Sequence, residues 1–176
     1  MSSDEKVEKP EYKFFEVEQQ LSREQDTVVM TSYPRSGNTL LRGYLEKIMG
    51  LCSGSDSDIC KKLNKDLMIS GLSGEGLVDR RVMIVKTHYP ERFGQTQHYA
   101  DRAILLLRNP IDCMTSLFHM TGTGTHNLSI SDEDFTGLKT EIYNPKVPFL
   151  WREWIQQEIS VWRDFHQFWL DAKIPR

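Results

Sequence analysis

The sequence predicts an α/β fold built on a central parallel sheet, and three observations carry that reading. Apolar runs of strand length recur, at "DTVVMTSYP", "RRVMIVKTHYP" and "RAILLLRNP". They are continuous rather than alternating, as expected of strands covered on both faces. Two of them lead directly into segments whose apolar residues lie three and four apart, the period of a helix.

The elements follow in order. Residues 1–12 are rich in charge and poor in apolar side chains, and read as a polar N-terminal tail; residues 13–176 read as one α/β domain. "DTVVMTSYP" is the first strand. "SGNTLLRGYLEKIMG" is the first helix, with Leu40, Leu41, Tyr44, Leu45 and Ile48 at helical spacing and Gly50 at its end. "RRVMIVKTHYP" is a second strand whose apolar run closes at Lys86. "RAILLLRNP" is a third, closing at Arg108, and "PIDCMTSLFHM" is a helix with Pro110 in its first turn, where proline is tolerated. Residues 121–148 have no sustained period and read as a long functional loop. The last segment carries Trp151, Ile155, Ile159, Trp162, Phe165 and Trp169, an amphipathic helix whose aromatic stripe is read as core packing.

Composition sets limits on function. A chain of 176 residues is long enough for one domain with a core. Its formal net charge of -3 gives no support to a nucleic-acid partner or an anionic membrane surface. Cys52, Cys60 and Cys113 fit no zinc spacing and read as reduced thiols, which with the lack of a signal-like or membrane-length apolar run suggests the cytoplasm.

The first strand-to-helix turn, "SYPRSGNT", has the outline of a phosphate-gripping loop. Against the pattern G-x-x-x-x-G-K-[ST], Ser32 replaces the first glycine, Gly37 and Thr39 match, and Asn38 replaces the lysine. Backbone amides at a helix N-terminus still favour an anion whatever the side chains. The positive charge sits instead on Arg35. The other two strand-ends carry Lys86 and Arg108, where a magnesium-dependent NTPase wants an acidic residue. Cations there repel a metal and attract more anion, so the pocket suits a multiply phosphorylated ligand with no metal. A bare turn and helix cap would explain "SGNT" alone, but not three cationic strand-ends together.

These residues resemble the sulfotransferase family that uses 3′-phosphoadenosine 5′-phosphosulfate (PAPS). "SYPRSGNTLL" is similar to its 5′-phosphosulfate loop, "RAILLLRNPIDCMTSLFH" to its 3′-phosphate motif, and "VKTHYP" to its K-T-H-x-P segment, over roughly residues 26–174. The resemblance implies a three-layer α/β/α fold of P-loop NTPase type and transfer of a sulfuryl group from PAPS to a hydroxyl or amine of a small-molecule or saccharide acceptor. It further implies that Arg35, Ser36, Gly37, Asn38 and Thr39 hold the 5′-phosphate and sulfate, that Leu40 lies at the adenine face, and that Arg108 and Ser116 hold the 3′-phosphate. His88 becomes the general base. Arg35 stands for the family's lysine at the leaving phosphate, and Lys86 assists at the sulfate. His98, His119, His126 and His166 are given no role, and His119 is expected to pack on the helix after Ser116.

The sequence also departs from the family. Arg35 replaces a lysine, exchanging a point charge for a planar fork. Leu40 stands where many relatives have a tryptophan that stacks on adenine. The family's closing strand and basic glycine-containing loop have no counterpart before Arg176, so the pattern reads as short at its C-terminal end. Two alternatives follow: a truncated module that binds PAPS or its bisphosphate product without catalysis, and, further off, a P-loop kinase or NTPase.

Overall fold

The computed structural model describes residues 12–16, 27–60, 62–90, 98–131 and 147–173. Its elements are β1 (Val28–Ser32), α1 (Asn38–Met49), β2 (Gly54–Ser55), α2 (Lys62–Ile69), β3 (Ile84–Thr87), β4 (Arg102–Leu106), α3 (Pro110–Thr123) and α4 (Val147–Asp171). The fold is α/β, with the four strands in one small sheet in the order β2-β3-β1-β4. The three apolar runs of the sequence are β1, β3 and β4. Strand β2 and helix α2 are additions that the sequence pattern does not announce. Most of the expected polar tail and of the 121–148 loop lies outside the described residues.

The chain divides into two compact units. The first holds the described residues up to 29, with 39–87 and 98–102. Here β2 runs parallel to β3, with Gly54 opposite Val85 and Ser55 opposite Lys86. A Cβ on Gly54 would lie 2.2 Å from the Leu77 carbonyl oxygen, and one on Gly74 would lie 2.2 Å from that of Ser53. Only glycine permits these backbones to approach so closely. Cys52, Val82 and Val85 form the local core, with Tyr12, Leu77 and Val78 packed against them. Burial, reinforced by the Glu46 carboxylate, pushes the Cys52 thiol up to about 11, so this cysteine behaves as a small core hydrophobe.

Helix α1 is where the apolar spacing puts it, but its orientation is not the expected one. Leu40 is 64% exposed and Ile48 78%, whereas Arg42 and Glu46 are each 1% exposed. The reason is a buried polar network that outcompetes the apolar face. Arg42 Nε donates to Ser53 Oγ (2.8 Å), Nη2 donates to the Ser53 carbonyl (3.2 Å), and Nη1 pairs with the Glu75 carboxylate. Glu46 accepts from the Ser53 amide (2.8 Å) and hydroxyl (2.6 Å), and Glu75 accepts from Ser55 Oγ (2.6 Å). Residues 42 and 46 share one helix face, so one helix supplies both a cation and an anion to the network.

The second unit holds residues 30–38, 88–90 and 103–173 of those described. Helix α3 starts at Asn109, whose side chain accepts from the Ile111 amide (2.9 Å), with Pro110 in the first turn as expected. It ends at Gly124, which is left-handed (φ 65°) and returns its amide to the Met120 carbonyl at 2.8 Å. On α4, Phe165 and Trp169 are buried, and Phe165 meets Tyr33 edge to face. Trp169 Nε1 donates to the Tyr89 carbonyl at 2.7 Å. Ile159 departs from the expected stripe and is exposed. The inward row runs 151, 155, 158, 162, 165, 169, and places Glu158 where its carboxylate accepts from Tyr33 Oη. His166 is a core histidine: Nδ1 donates to the Trp162 carbonyl (2.7 Å), and burial pushes the imidazole below its ordinary range.

Among the described residues no helix is long and apolar enough to cross a membrane, and no group of three or more His, Cys, Asp or Glu is placed to hold a metal ion.

Candidate functional site

The turn after β1 is built to hold its shape without filling its own hydrogen bonds. The Ser36 amide donates to the Tyr33 carbonyl (3.3 Å), and Asn38 Nδ2 donates to Ser32 Oγ (2.9 Å), tying the start of α1 to the end of β1. Arg35 (φ 65°) and Gly37 (φ 96°) are both left-handed. Glycine takes that conformation freely; for arginine it costs about 1–2 kcal/mol. A conformation of that cost persists only where the surrounding structure holds it in place. The Ser36 hydroxyl and Asn38 Oδ1 are buried without a hydrogen-bond partner, so the loop carries polar capacity that the fold leaves unused.

The Arg35 side chain reaches toward α3 and the segment after it. Its Nε donates to Ser116 Oγ at 2.8 Å, and Nη1 lies 2.7 Å from His126 Nδ1. Since a guanidinium only donates, His126 Nδ1 is the unprotonated acceptor. Arg108, two residues past the end of β4, donates from Nη1 to the Arg35 carbonyl at 2.8 Å. Among the described residues neither arginine forms an ion pair. Burial, and then the charge of Arg108, lower the Arg35 pKa, which is the signature of a cation lacking its counter-anion.

Arg35, Arg108 and Ser116 line one cavity of about 330 Å³, together with Asp112, Thr115, His119, His126, Asn127, Leu128 and Ser129. The expectation divided Arg35 from Arg108 and Ser116 between the two ends of a nucleotide; here the three side chains converge. His119 and His126, assigned no role from the sequence, are part of the wall. His119 Nδ1 accepts from the Ile130 amide at 3.1 Å and so fixes the segment after α3. Nothing in the local sequence distinguishes these histidines from surface residues, because their position depends on how that segment folds back.

The remaining expected site residues lie elsewhere. His88 sits just past β3, and its Nδ1 is 2.6 Å from the Ser32 carbonyl. A carbonyl only accepts, so Nδ1 carries the proton and Nε2 is the basic nitrogen of the neutral ring. Lys86 lies within β3 rather than at its end; it is buried, and its Nζ donates to Ser57 Oγ at 3.3 Å. His88 does not line the cavity. Thr39 and Leu40, on the first turn of α1, have exposed side chains.

Beside Lys86 the sequence reading missed a buried acid. Asp56 accepts from Thr87 Oγ1, its amide bonds the Lys86 carbonyl at 3.1 Å, and its Oδ1 has no hydrogen-bond partner. Burial raises its pKa, against the pull of the Thr87 hydroxyl and the charges of Lys86 and His98. Its signal was faint: one aspartate in "SGSDSD", without an apolar run to mark the strand before it.

The chain is 26% identical over 153 residues to a WSCD family member of Aedes aegypti, a match covering 86% of this chain and 43% of that protein. It is 26% identical over 142 residues to a WSCD family member of Drosophila pseudoobscura pseudoobscura and 25% identical over 142 residues to one of Drosophila melanogaster. Each of these matches covers 80% of this chain and 39% of the other protein. The chain thus spans about two fifths of the length of these curated relatives. No family model and no solved structure matches it.

Proposed function

We propose that this chain is a sulfotransferase-type domain of the P-loop α/β/α class, which binds PAPS and catalyses sulfuryl transfer to a hydroxyl or amine of a small-molecule or saccharide acceptor. The observation that carries it is the convergence of Arg35, Arg108 and Ser116 on one cavity, with no carboxylate among the described residues paired to either arginine. The residues fit such a ligand. Two cations without an ion pair among the described residues, a buried hydroxyl at Ser36 without a partner and a left-handed loop opening a helix all favour a polyanion.

When bound, PAPS supplies an activated sulfuryl group on a phosphate leaving group. The chain's own residues do the rest. Arg108 and Ser116 grip the 3′-phosphate end, and Arg35 adds positive charge at the leaving phosphate. The turn from Arg35 to Thr39 holds the 5′ end through backbone amides and the Ser36 hydroxyl. His88 Nε2 takes the acceptor's proton, since Ser32 occupies the other ring nitrogen. Lys86 adds positive charge from β3. Three free cysteines suit a reducing compartment such as the cytoplasm.

Binding without transfer is the second reading. It is favoured by a cavity lining that does not contain His88. One experiment separates the two: incubation of the chain with sulfur-labelled PAPS and a panel of phenols, aliphatic alcohols, amines and saccharides. Label on an acceptor above the enzyme-free background is the expected result. Protection of the chain against thermal unfolding by PAPS, with no label moved to any acceptor, selects the binding module.

A further inference from the structure

We propose that helix α4 sets the orientation of His88, with Glu158 and Trp169 as positioning residues at the two ends of one clamp. The inference rests on the reading of His88 as the general base, and every residue in it belongs to the second compact unit.

The His88 ring is fixed by its Nδ1, which donates to the Ser32 carbonyl at 2.6 Å. Each member of that pair is followed in the chain by a residue that α4 grips. Tyr33, next to Ser32, is buried; its Oη donates to the Glu158 carboxylate, and its ring meets Phe165 edge to face with centroids 6.3 Å apart. Tyr89, next to His88, offers its carbonyl to Trp169 Nε1 at 2.7 Å, and its ring meets Phe168 edge to face with centroids 5.4 Å apart.

Helical geometry explains how one element reaches both segments. Residues 158, 165 and 169 are separated by close to two and three full turns, so they share a face, and Glu158 and Trp169 stand about 16 Å apart along the axis. Apolar contact is not directional, and by itself would let α4 slide or rotate slightly against the two tyrosines. A hydrogen bond at each end removes that freedom. Packing does not select a glutamate for this row. The buried phenol does, because it needs an acceptor, and a carboxylate makes the stronger bond. With residues 33 and 89 both held, the Ser32 carbonyl and the His88 ring keep their mutual geometry, and with it the tautomer that leaves Nε2 basic. A displacement of about 1 Å at a reacting group can cost about 10²-fold in rate. A clamp of this kind therefore acts on the chemical step and leaves nucleotide binding alone.

The test is nitrogen NMR of the whole chain labelled at its histidine rings, for wild type, Trp169→Phe, Glu158→Leu and Glu158→Gln, with His88→Gln to identify the His88 signals. Sulfate transfer, affinity for adenosine 3′,5′-bisphosphate and thermal unfolding are measured on the same samples. The wild type should show His88 with its proton on Nδ1. Trp169→Phe, which keeps an aromatic ring without the donor, and Glu158→Leu should each give a mixture with the Nε2-protonated form, which a free imidazole prefers. Transfer should fall by about tenfold to a hundredfold in both, with nucleotide affinity within about twofold of wild type. Glu158→Gln, which keeps an acceptor for Tyr33, should restore both the tautomer and the rate. If Glu158→Leu does not fold, Trp169→Phe decides. A His88 ring that stays wholly Nδ1-protonated in the folded variants overturns the inference, as does transfer at the wild-type rate or an equal loss of nucleotide affinity. A wild type that moves sulfate to no acceptor sinks the reading of His88 as a base, and the tautomer ratios alone then decide whether α4 sets the ring.

Discussion

Replacing His88 by alanine is expected to lower sulfate transfer by about 10²–10⁴-fold, the usual contribution of a positioned general base. Affinity for adenosine 3′,5′-bisphosphate should stay within about twofold, because a residue that acts only at the reacting hydroxyl contributes nothing to nucleotide binding. The geometry supports this split. Nδ1 is committed to the Ser32 carbonyl at 2.6 Å, which fixes the tautomer, and His88 lies outside the cavity lined by Arg35 and Arg108. His88→Gln retains a donor toward Ser32 without the basic nitrogen, and should be as inactive as alanine. Turnover in His88→Gln near the wild-type rate, or a parallel fall in nucleotide affinity, would assign His88 a role in shaping the loop instead.

Arg42→Met is expected to destabilise the fold by about 3–5 kcal/mol, the range for breaking a buried ion pair by removing one partner. This is a large share of the roughly 5–15 kcal/mol that hold a domain together. The substitution deletes three hydrogen bonds to Ser53 and Glu75, and leaves the Glu75 carboxylate buried without its ion-pair partner. Urea titration followed by tryptophan fluorescence measures the shift in midpoint. Adding Glu75→Gln to Arg42→Met should return part of the loss, because the second change removes the stranded charge. A single-variant loss below about 1 kcal/mol would mean that the network is hydrated and contributes as surface pairs do.

The contrast between these two residues shows what the sequence disclosed. His88 is readable because it ends an apolar strand in a recognisable K-T-H segment, and Arg108 because it follows "AILLL". Strands β1, β3 and β4, helix α3 with its Asn109–Pro110 start, and α4 all follow from period and caps. Arg42 is not readable. A charged residue on an amphipathic helix normally faces water, and the apolar spacing of α1 pointed to the opposite face. Its burial depends on Ser53 and Glu75, which come from separate segments and have no mark of their own. Strand β2 is two residues of Gly-Ser held by pairing to β3, so no propensity reveals it. His126 and His119 belong to the same class, since only the return of the chain after α3 brings them to Arg35. Ile159 failed for a smaller reason: the row of α4 that turns inward accepts Glu158 because Tyr33 supplies a partner.

The central claim is that the cavity formed around Arg108 and Ser116 takes a 3′-phosphate. Its most direct measurement is the ratio of dissociation constants for adenosine 5′-monophosphate and adenosine 3′,5′-bisphosphate, in the wild type and in Arg108→Ala. The wild type should favour the bisphosphate by at least about tenfold, and Arg108→Ala should abolish most of that preference while leaving the monophosphate affinity unchanged. A wild-type ratio near one, or an Arg108→Ala variant that weakens both nucleotides to the same degree, would contradict it.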